Sequence, residues 1–180
     1  IKKYSQRLSQ ILRHRATQEG LEMDEAGWGS VSDITAHLNL NDQDLELATL
    51  YNNKSRFEIR DGMIRASQGH SLEEIPVTQE ALEASWKRYQ GEGSIWHGTN
   101  HDVIDSIRRG GILRGDRSHV HLASSVESHV GKRHNVSVLV EVSQELLREA
   151  GYEIFISPNR VVLARYIPAN CIINVWELES

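Results

Sequence analysis

The sequence predicts an α+β chain in two parts, a helical amino-terminal lobe closed by a hairpin and a carboxy-terminal lobe with a mostly antiparallel sheet. Three observations predict it. Apolar residues open the chain at helical spacing, Asp61-Gly62 sits between two short alternating runs, and strand-like runs dominate after Gly91-Glu92-Gly93. A length of 180 residues suits one ordinary domain or two small lobes, and 39% hydrophobic with 25% charged residues excludes disorder.

Tyr4, Leu8, Ile11 and Leu12 form one apolar stripe, which predicts a first helix ending near Gly20. Ser32-Asp33 and Asn41-Asp42 offer N-caps for helices through Leu38 and Leu50. Phe57 to Ile59, the Asp61-Gly62 turn and a run through Ile64 predict a hairpin. Three short helices followed by a hairpin is the order of a winged-helix lobe. Ser71 to Pro76 reads as a connector, so the lobes are expected at 1–75 and 76–180. A helix is expected from Thr78 to Tyr89. Strands follow at 95–97, 119–122, 136–142, 153–156, 161–163 and 172–178, with helices at 102–109, 125–132 and 143–150.

Several function classes drop out. No apolar run approaches the ~20 residues of a membrane span, and Ile1-Lys2-Lys3-Tyr4 shows no secretory signal, so a cytoplasmic location is expected. The single cysteine, Cys171, can form no internal disulfide or thiolate cage and fits a reducing compartment. A net charge of -5 argues against indiscriminate nucleic-acid binding but leaves room for a local basic pocket. P-loop, Rossmann, nucleophile-elbow and zincin signatures are absent. Nine histidines are present, six of them between His97 and His134. His119 and His121 could share one strand face and ligate a metal, but no carboxylate stands at a useful spacing. Ligand contact by one and packing by the other is preferred, and no metal is expected.

Four local clusters remain. They are Arg13-His14-Arg15, the run Arg65-Ala66-Ser67-Gln68-Gly69-His70-Ser71, Lys132-Arg133-His134, and Trp96-His97-Gly98-Thr99. Arginine and histidine in local clusters suit polyanion binding and charge neutralisation in phosphoryl chemistry.

With Leu12 before Arg13-His14, Arg117-Ser118-His119-Val120-His121-Leu122 and Ser157-Pro158-Asn159, these blocks closely resemble the RNA 2′-phosphotransferases, the KptA-type tRNA-splicing enzymes. The blocks stand in family order from Tyr4 to about Val175. The resemblance implies a winged-helix lobe packed on an ADP-ribosyl-transferase-like lobe. It implies NAD⁺ as a consumed co-substrate, RNA with an internal 2′-phosphate as the other substrate, and no metal. It implies two steps: attack of the 2′-phosphate on the nicotinamide ribose gives RNA-2′-phospho-ADP-ribose. The 2″-hydroxyl then releases RNA 2′-OH and ADP-ribose 1″,2″-cyclic phosphate. The family's Arg-His-Arg-Arg set falls on Arg13, His14, Arg65 and Arg133. The cofactor residues fall on His97, Gly98, Thr99, His119, His121, Ser157 and Asn159. A monomer is expected.

The chain departs from the family pattern at Trp96, where tyrosine is frequent, at Ser67, where asparagine is common, and at Arg160, where glycine usually follows Asn159. The glycine exchange puts the backbone angle after Asn159 in question. A 2H-type phosphoesterase would need two His-x-Thr/Ser motifs, and only His97-Gly98-Thr99 qualifies. A winged-helix binding module would not need NAD⁺. The runner-up is a mono-ADP-ribosyltransferase acting on nucleic-acid phosphate ends or protein, which would not need the Arg65 to His70 block.

Overall fold

The computed structural model describes residues 2–50, 56–130 and 136–178. The chain divides into two compact units, Ile1–Trp86 with Asp116–Ser118, and Lys87–Gly115 with His119–Ser180. No helix among the described residues is long and apolar enough to cross a membrane.

In the first unit, helix α1 (Lys2–Gln10) runs into a π turn at Ile11–Arg15, where Ala16 N–H donates to Ile11 O at 2.9 Å. An ordinary helix would bond i to i−4, so this turn is one residue wider. Strand β1 (Gly29–Ser30) precedes α2 (Val31–Leu38), whose N-cap is Ser30 and not the expected Ser32-Asp33; the Ser30 hydroxyl accepts from Asp33 N–H. Helix α3 (Asp42–Leu50) is capped as the sequence predicts, Asn41 Oδ1 accepting from Asp44 N–H at 2.7 Å. Strands β2 (Phe57–Arg60) and β3 (Met63–Ala66) form the expected hairpin, and β1 joins them in the order β1-β3-β2. Asp61 (φ 53°) and Gly62 (φ 75°) are both left-handed, as a two-residue turn matched to strand twist requires. Leu8, Leu12, Ile34, Leu45, Ile64 and Ala66 make the core of this unit.

The units part at Trp86 and not at the 75/76 connector, because helix α4 (Gln79–Ser85) is bonded into the first unit. Trp86 Nε1 donates to Ser67 O at 3.0 Å, and Thr78 N–H to Glu25 O at 3.0 Å. The expected helix to Tyr89 stops earlier, and Lys87–Arg88 becomes strand β4.

In the second unit, β5 (Ser94–Thr99), β7 (Val138–Ser143) and β10 (Ile172–Glu177) form one antiparallel sheet with β7 central. A second antiparallel sheet runs β4-β8-β9-β6, with β6 at Val120–Leu122, β8 at Phe155–Ile156 and β9 at Val162–Ala164. Paired bonds between Trp96 and Ala123, at 2.9 and 2.7 Å, tie β5 to the end of β6. Helices α5 (Ile104–Gly110), α6 (Glu127–Val130) and α7 (Gln144–Glu149) lie near their expected places, and Ser143 caps α7. Ile95, Val140, Val142, Leu147, Val162 and Ile167 belong to the core here. The expected mixed, mostly antiparallel architecture is thus the observed one.

Candidate functional site

In the first unit the segment 67–71 wires several cations together through its backbone. Ser67 N–H donates to Arg56 O at 2.8 Å, and Ser71 N–H to Arg13 O at 2.9 Å. Ser118 N–H donates to His70 O at 2.9 Å, while Ser71 and Arg117 form an antiparallel bridge. The side chains follow the backbone. His14 Nδ1 hydrogen-bonds Ser71 Oγ at 2.7 Å. Gly69, at φ 92°, brings a bare Cα against Arg13, so that a Cβ there would lie 3.1 Å from Nε and 3.2 Å from Cζ. His70 is fully buried, with Gly27 closed on its ring.

The electrostatics follow from this crowding. Burial lowers Arg13 to about 10, helped by the positive charges of Arg56 and Arg117. Burial also lowers His14, with Arg13 and Arg117 adding to the effect and Glu74 opposing it. Arg13 therefore stays charged at neutral pH, whereas His14 favours the neutral ring. Arg13 Nε and Gln68 Oε1 are buried without a hydrogen-bond partner. Burying a cationic donor unpaired is costly, and a phosphate oxygen is the kind of acceptor that removes the cost.

Arg65 goes elsewhere. Strand alternation sends Ile64 and Ala66 into the core and Arg65 to the opposite face, where it is 2% exposed. Its Nε donates to Glu58 Oε2 at 2.5 Å and its Nη1 to Ser85 Oγ at 2.6 Å and Ala26 O at 3.3 Å. Its guanidinium also stacks 4.8 Å from the Trp28 ring centroid. In this conformation Arg65 braces the 26–28 loop and α4. Arg133 lies outside the described residues. Sequence reasoning did not single out Arg56, and it quoted Arg117 only as the start of the His119 block, without a role. Arg56 stands before the hairpin and Arg117 beside the His119 block, and only the 67–71 crossing joins them to Arg13.

The second unit places the residues expected to bind a cofactor on or beside its strands and on one turn. His97 Nδ1 donates to His121 O at 2.9 Å, which sets the proton on Nδ1 and makes Nε2 of a neutral ring an acceptor. Gly98 follows, with no side chain, and Thr99 ends β5. His119 is 1% exposed and His121 half-buried. No group of three metal-ligating side chains forms among the described residues. After β8, Ser157 N–H donates to Val161 O at 2.9 Å and Arg160 N–H to Ser157 O at 2.8 Å. Ser157 Oγ donates to Asn159 Oδ1 at 2.6 Å, so the serine organises the turn and orients the amide. Arg160 sits at φ 69° and keeps the left-handed angle that a glycine would hold without strain. The exchange leaves the turn formed.

The family described as "RNA 2'-phosphotransferase, Tpt1 / KptA family" matches residues 1–166. A protein of Burkholderia lata named "Probable RNA 2'-phosphotransferase" is 35% identical over 174 residues, covering 92% of this chain and 86% of the relative. One of the same name from Pseudomonas syringae pv. tomato is 35% identical over 186 residues, covering 98% and 95%. Another, from Pyrobaculum aerophilum, is 31% identical over 177 residues, covering 94% and 79%.

Proposed function

The chain belongs to the RNA 2′-phosphotransferase, Tpt1/KptA family, and on that footing we propose that it removes an internal 2′-phosphate from RNA with NAD⁺ as a consumed co-substrate. The observation that carries the reading is the gathering of Arg13, His14, Arg56 and Arg117 by segment 67–71, with the Arg13 Nε donor buried and unpaired. A dianionic 2′-phosphomonoester is the ligand that such a set neutralises.

NAD⁺ supplies an electrophilic ribose C1″ and nicotinamide as leaving group. Arg13, Arg56 and Arg117 collect the phosphate and spread its charge while the phosphate oxygen displaces nicotinamide. Neutral His14, bonded to Ser71, suits proton removal from the 2″-hydroxyl as that oxygen attacks phosphorus and the bond to the RNA 2′-oxygen breaks. The products are RNA 2′-OH, nicotinamide and ADP-ribose 1″,2″-cyclic phosphate. His97, Gly98, Thr99 and the Asn159 amide hold the ribose and its hydroxyls, with His121 O fixing the His97 ring and Ser157 fixing Asn159. His119 supports this strand from its buried position. Arg65 Nε and Nη1 are taken up by Glu58, Ser85 and Ala26, so Arg65 meets a phosphate oxygen through Nη2 or by releasing one of these partners; Arg133 completes the cation set. The first unit fits a winged helix and the second an ADP-ribosyl-transferase lobe, acting as a cytoplasmic monomer without metal.

The test is a short RNA with an internal 2′-phosphate, incubated with and without NAD⁺ and EDTA and followed by mass spectrometry. Loss of 80 Da from the RNA with NAD⁺ alone and in EDTA is the expected result, the mass being about that of HPO₃ leaving a phosphomonoester. Loss without NAD⁺, or arrest by EDTA, overturns the reading. ADP-ribose remaining as the end product on a terminal phosphate of the RNA, or on the protein, would favour the mono-ADP-ribosyltransferase.

A further inference from the structure

We propose that a cavity of about 520 Å³ in the second unit, lined by Arg88, Tyr89, Arg148, Tyr152 and Glu153, binds one nucleotide of an RNA strand other than the nucleotide that reacts. The RNA assignment rests on the function proposed above; the nucleotide chemistry rests on the cavity. Its volume lies within the range of small-molecule sites, roughly 300–1,000 Å³.

The walls are set by bonds that do not involve a ligand. Tyr89 N–H donates to Ile154 O at 2.8 Å, holding the chain after β4 against the chain before β8. Gly151, at φ 93°, ends α7 with its N–H on Arg148 O at 2.9 Å, and its Cα opens onto free space. Tyr152 meets Tyr166 edge-on at 5.8 Å between centroids. The Tyr89 phenol folds over Gly91, where a Cβ would collide with it. Both rings are thus positioned before anything binds.

The polar groups decide the ligand. Arg148 Nη2 donates to Tyr89 O and to Gln144 Oε1, both at 2.9 Å, which aims the guanidinium while using one of its three nitrogens. Arg88 Nη2 meets Glu153 Oε1 at 2.9 Å with both side chains more than half exposed. Such a pair contributes little and exchanges readily for a phosphate. Two phenol rings beside two guanidinium groups offer a stacking surface for a base and a fork for its phosphate, the combination by which single strands are held without sequence preference. Glu153, once a phosphate has taken its place on Arg88, provides an acceptor for a base amino group.

The experiment is equilibrium binding by fluorescence anisotropy, with a 12-nucleotide single-stranded RNA that carries no 2′-phosphate, in the absence of NAD⁺. Arg88→Ala and Tyr152→Leu are compared with Arg109→Ala, which removes an equal charge from the exposed face of α5. Each cavity variant is expected to weaken binding about tenfold and Arg109→Ala less than about twofold. Equal effects of Arg88→Ala and Arg109→Ala, with unchanged melting temperatures, overturn the proposal. A parallel calorimetric titration with adenosine 5′-monophosphate separates the sources. Arg88-dependent binding of the mononucleotide without an Arg88 effect on RNA overturns the RNA assignment. Because the binding assay contains neither NAD⁺ nor a 2′-phosphate, a failure of the transferase chemistry leaves its outcome unchanged.

Discussion

Gly69→Ala separates the two duties of the 67–71 crossing. Gly69 stands at φ 92°, where an L side chain is strained by about 1–2 kcal/mol. Its added Cβ would also press on Arg13, at 3.1 Å from Nε, 3.2 Å from Cζ and 3.3 Å from Cδ. These distances force the guanidinium to yield by a few tenths of an ångström. Gly62 supplies the control, because at φ 75° it carries the same kind of backbone strain and a Cβ there meets nothing within 4 Å. Both variants should lose about 1–2 kcal/mol, a fall of roughly 2–8 °C in melting temperature for a chain of this size. Only Gly69→Ala should lose activity, by about 10–100-fold in kcat/KM for 2′-phosphate removal, because it displaces Arg13 from the phosphate charge that the proposed function has it stabilise. The assay is initial-rate release of nicotinamide and dephosphorylated RNA, paired with thermal melts. If Gly69→Ala and Gly62→Ala turn over equally, Arg13 does not depend on the bare Cα of Gly69 and the phosphate site must be redrawn.

Arg160→Gly relieves a left-handed non-glycine angle and should raise stability by about 0.5–1 kcal/mol, the strain relieved less the entropy gained by the unfolded chain; a loss in denaturant melts would show that the arginine side chain holds the turn. Glu19 accepts from Arg7, Arg15 and His37, and those partners, Arg7 foremost, hold its carboxyl down at about 2 against the opposing effect of burial. Its folded value lies below the unfolded one, so the stability it contributes is present above about pH 4.5 and is lost as pH falls toward 2. Glu19→Gln should cost about 1–2 kcal/mol at pH 7, allowing for solvent screening of the half-exposed arginines, with the gap to wild type closing on acidification; a gap independent of pH refutes it. His14 is lowered by burial and by Arg13 and Arg117, so its neutral form contributes stability above its unfolded value that declines as pH falls from there to the folded value. Adding inorganic phosphate should raise the His14 midpoint in an NMR titration, and an unmoved midpoint would remove His14 from the anion site.

The helices, the hairpin and the mixed α+β character follow from local patterning, and they were legible. The Leu8-Leu12 stripe, the Asn41 cap and the Asp61-Gly62 turn each act within a few residues, and each is found in the folded chain. Element ends were less legible. The shift of the α2 cap to Ser30 goes with Ser30 also pairing with Met63, a contact made across 33 positions of chain. Helix α4 ends before Lys87 because Lys87 and Arg88 find a strand partner in Phe155 and Ile156.

What the sequence by itself determined was the inventory of chemistry: clustered arginine and histidine, a bare His97-Gly98-Thr99 strand end, and an Asn159 turn. Only tertiary structure decided which cations meet. Arg13, Arg56 and Arg117 are far apart in the chain and are brought to one segment by three separate backbone contacts of residues 67–71. Arg65, next to that segment in sequence, is turned away from it by strand alternation and taken up by Glu58, Ser85 and Trp28. Charge of one sign does not assemble unaided, because like charges repel. Here the backbone hydrogen bonds and the apolar core supply the free energy that holds the arginines together, and neither can be read from the spacing of the arginines themselves.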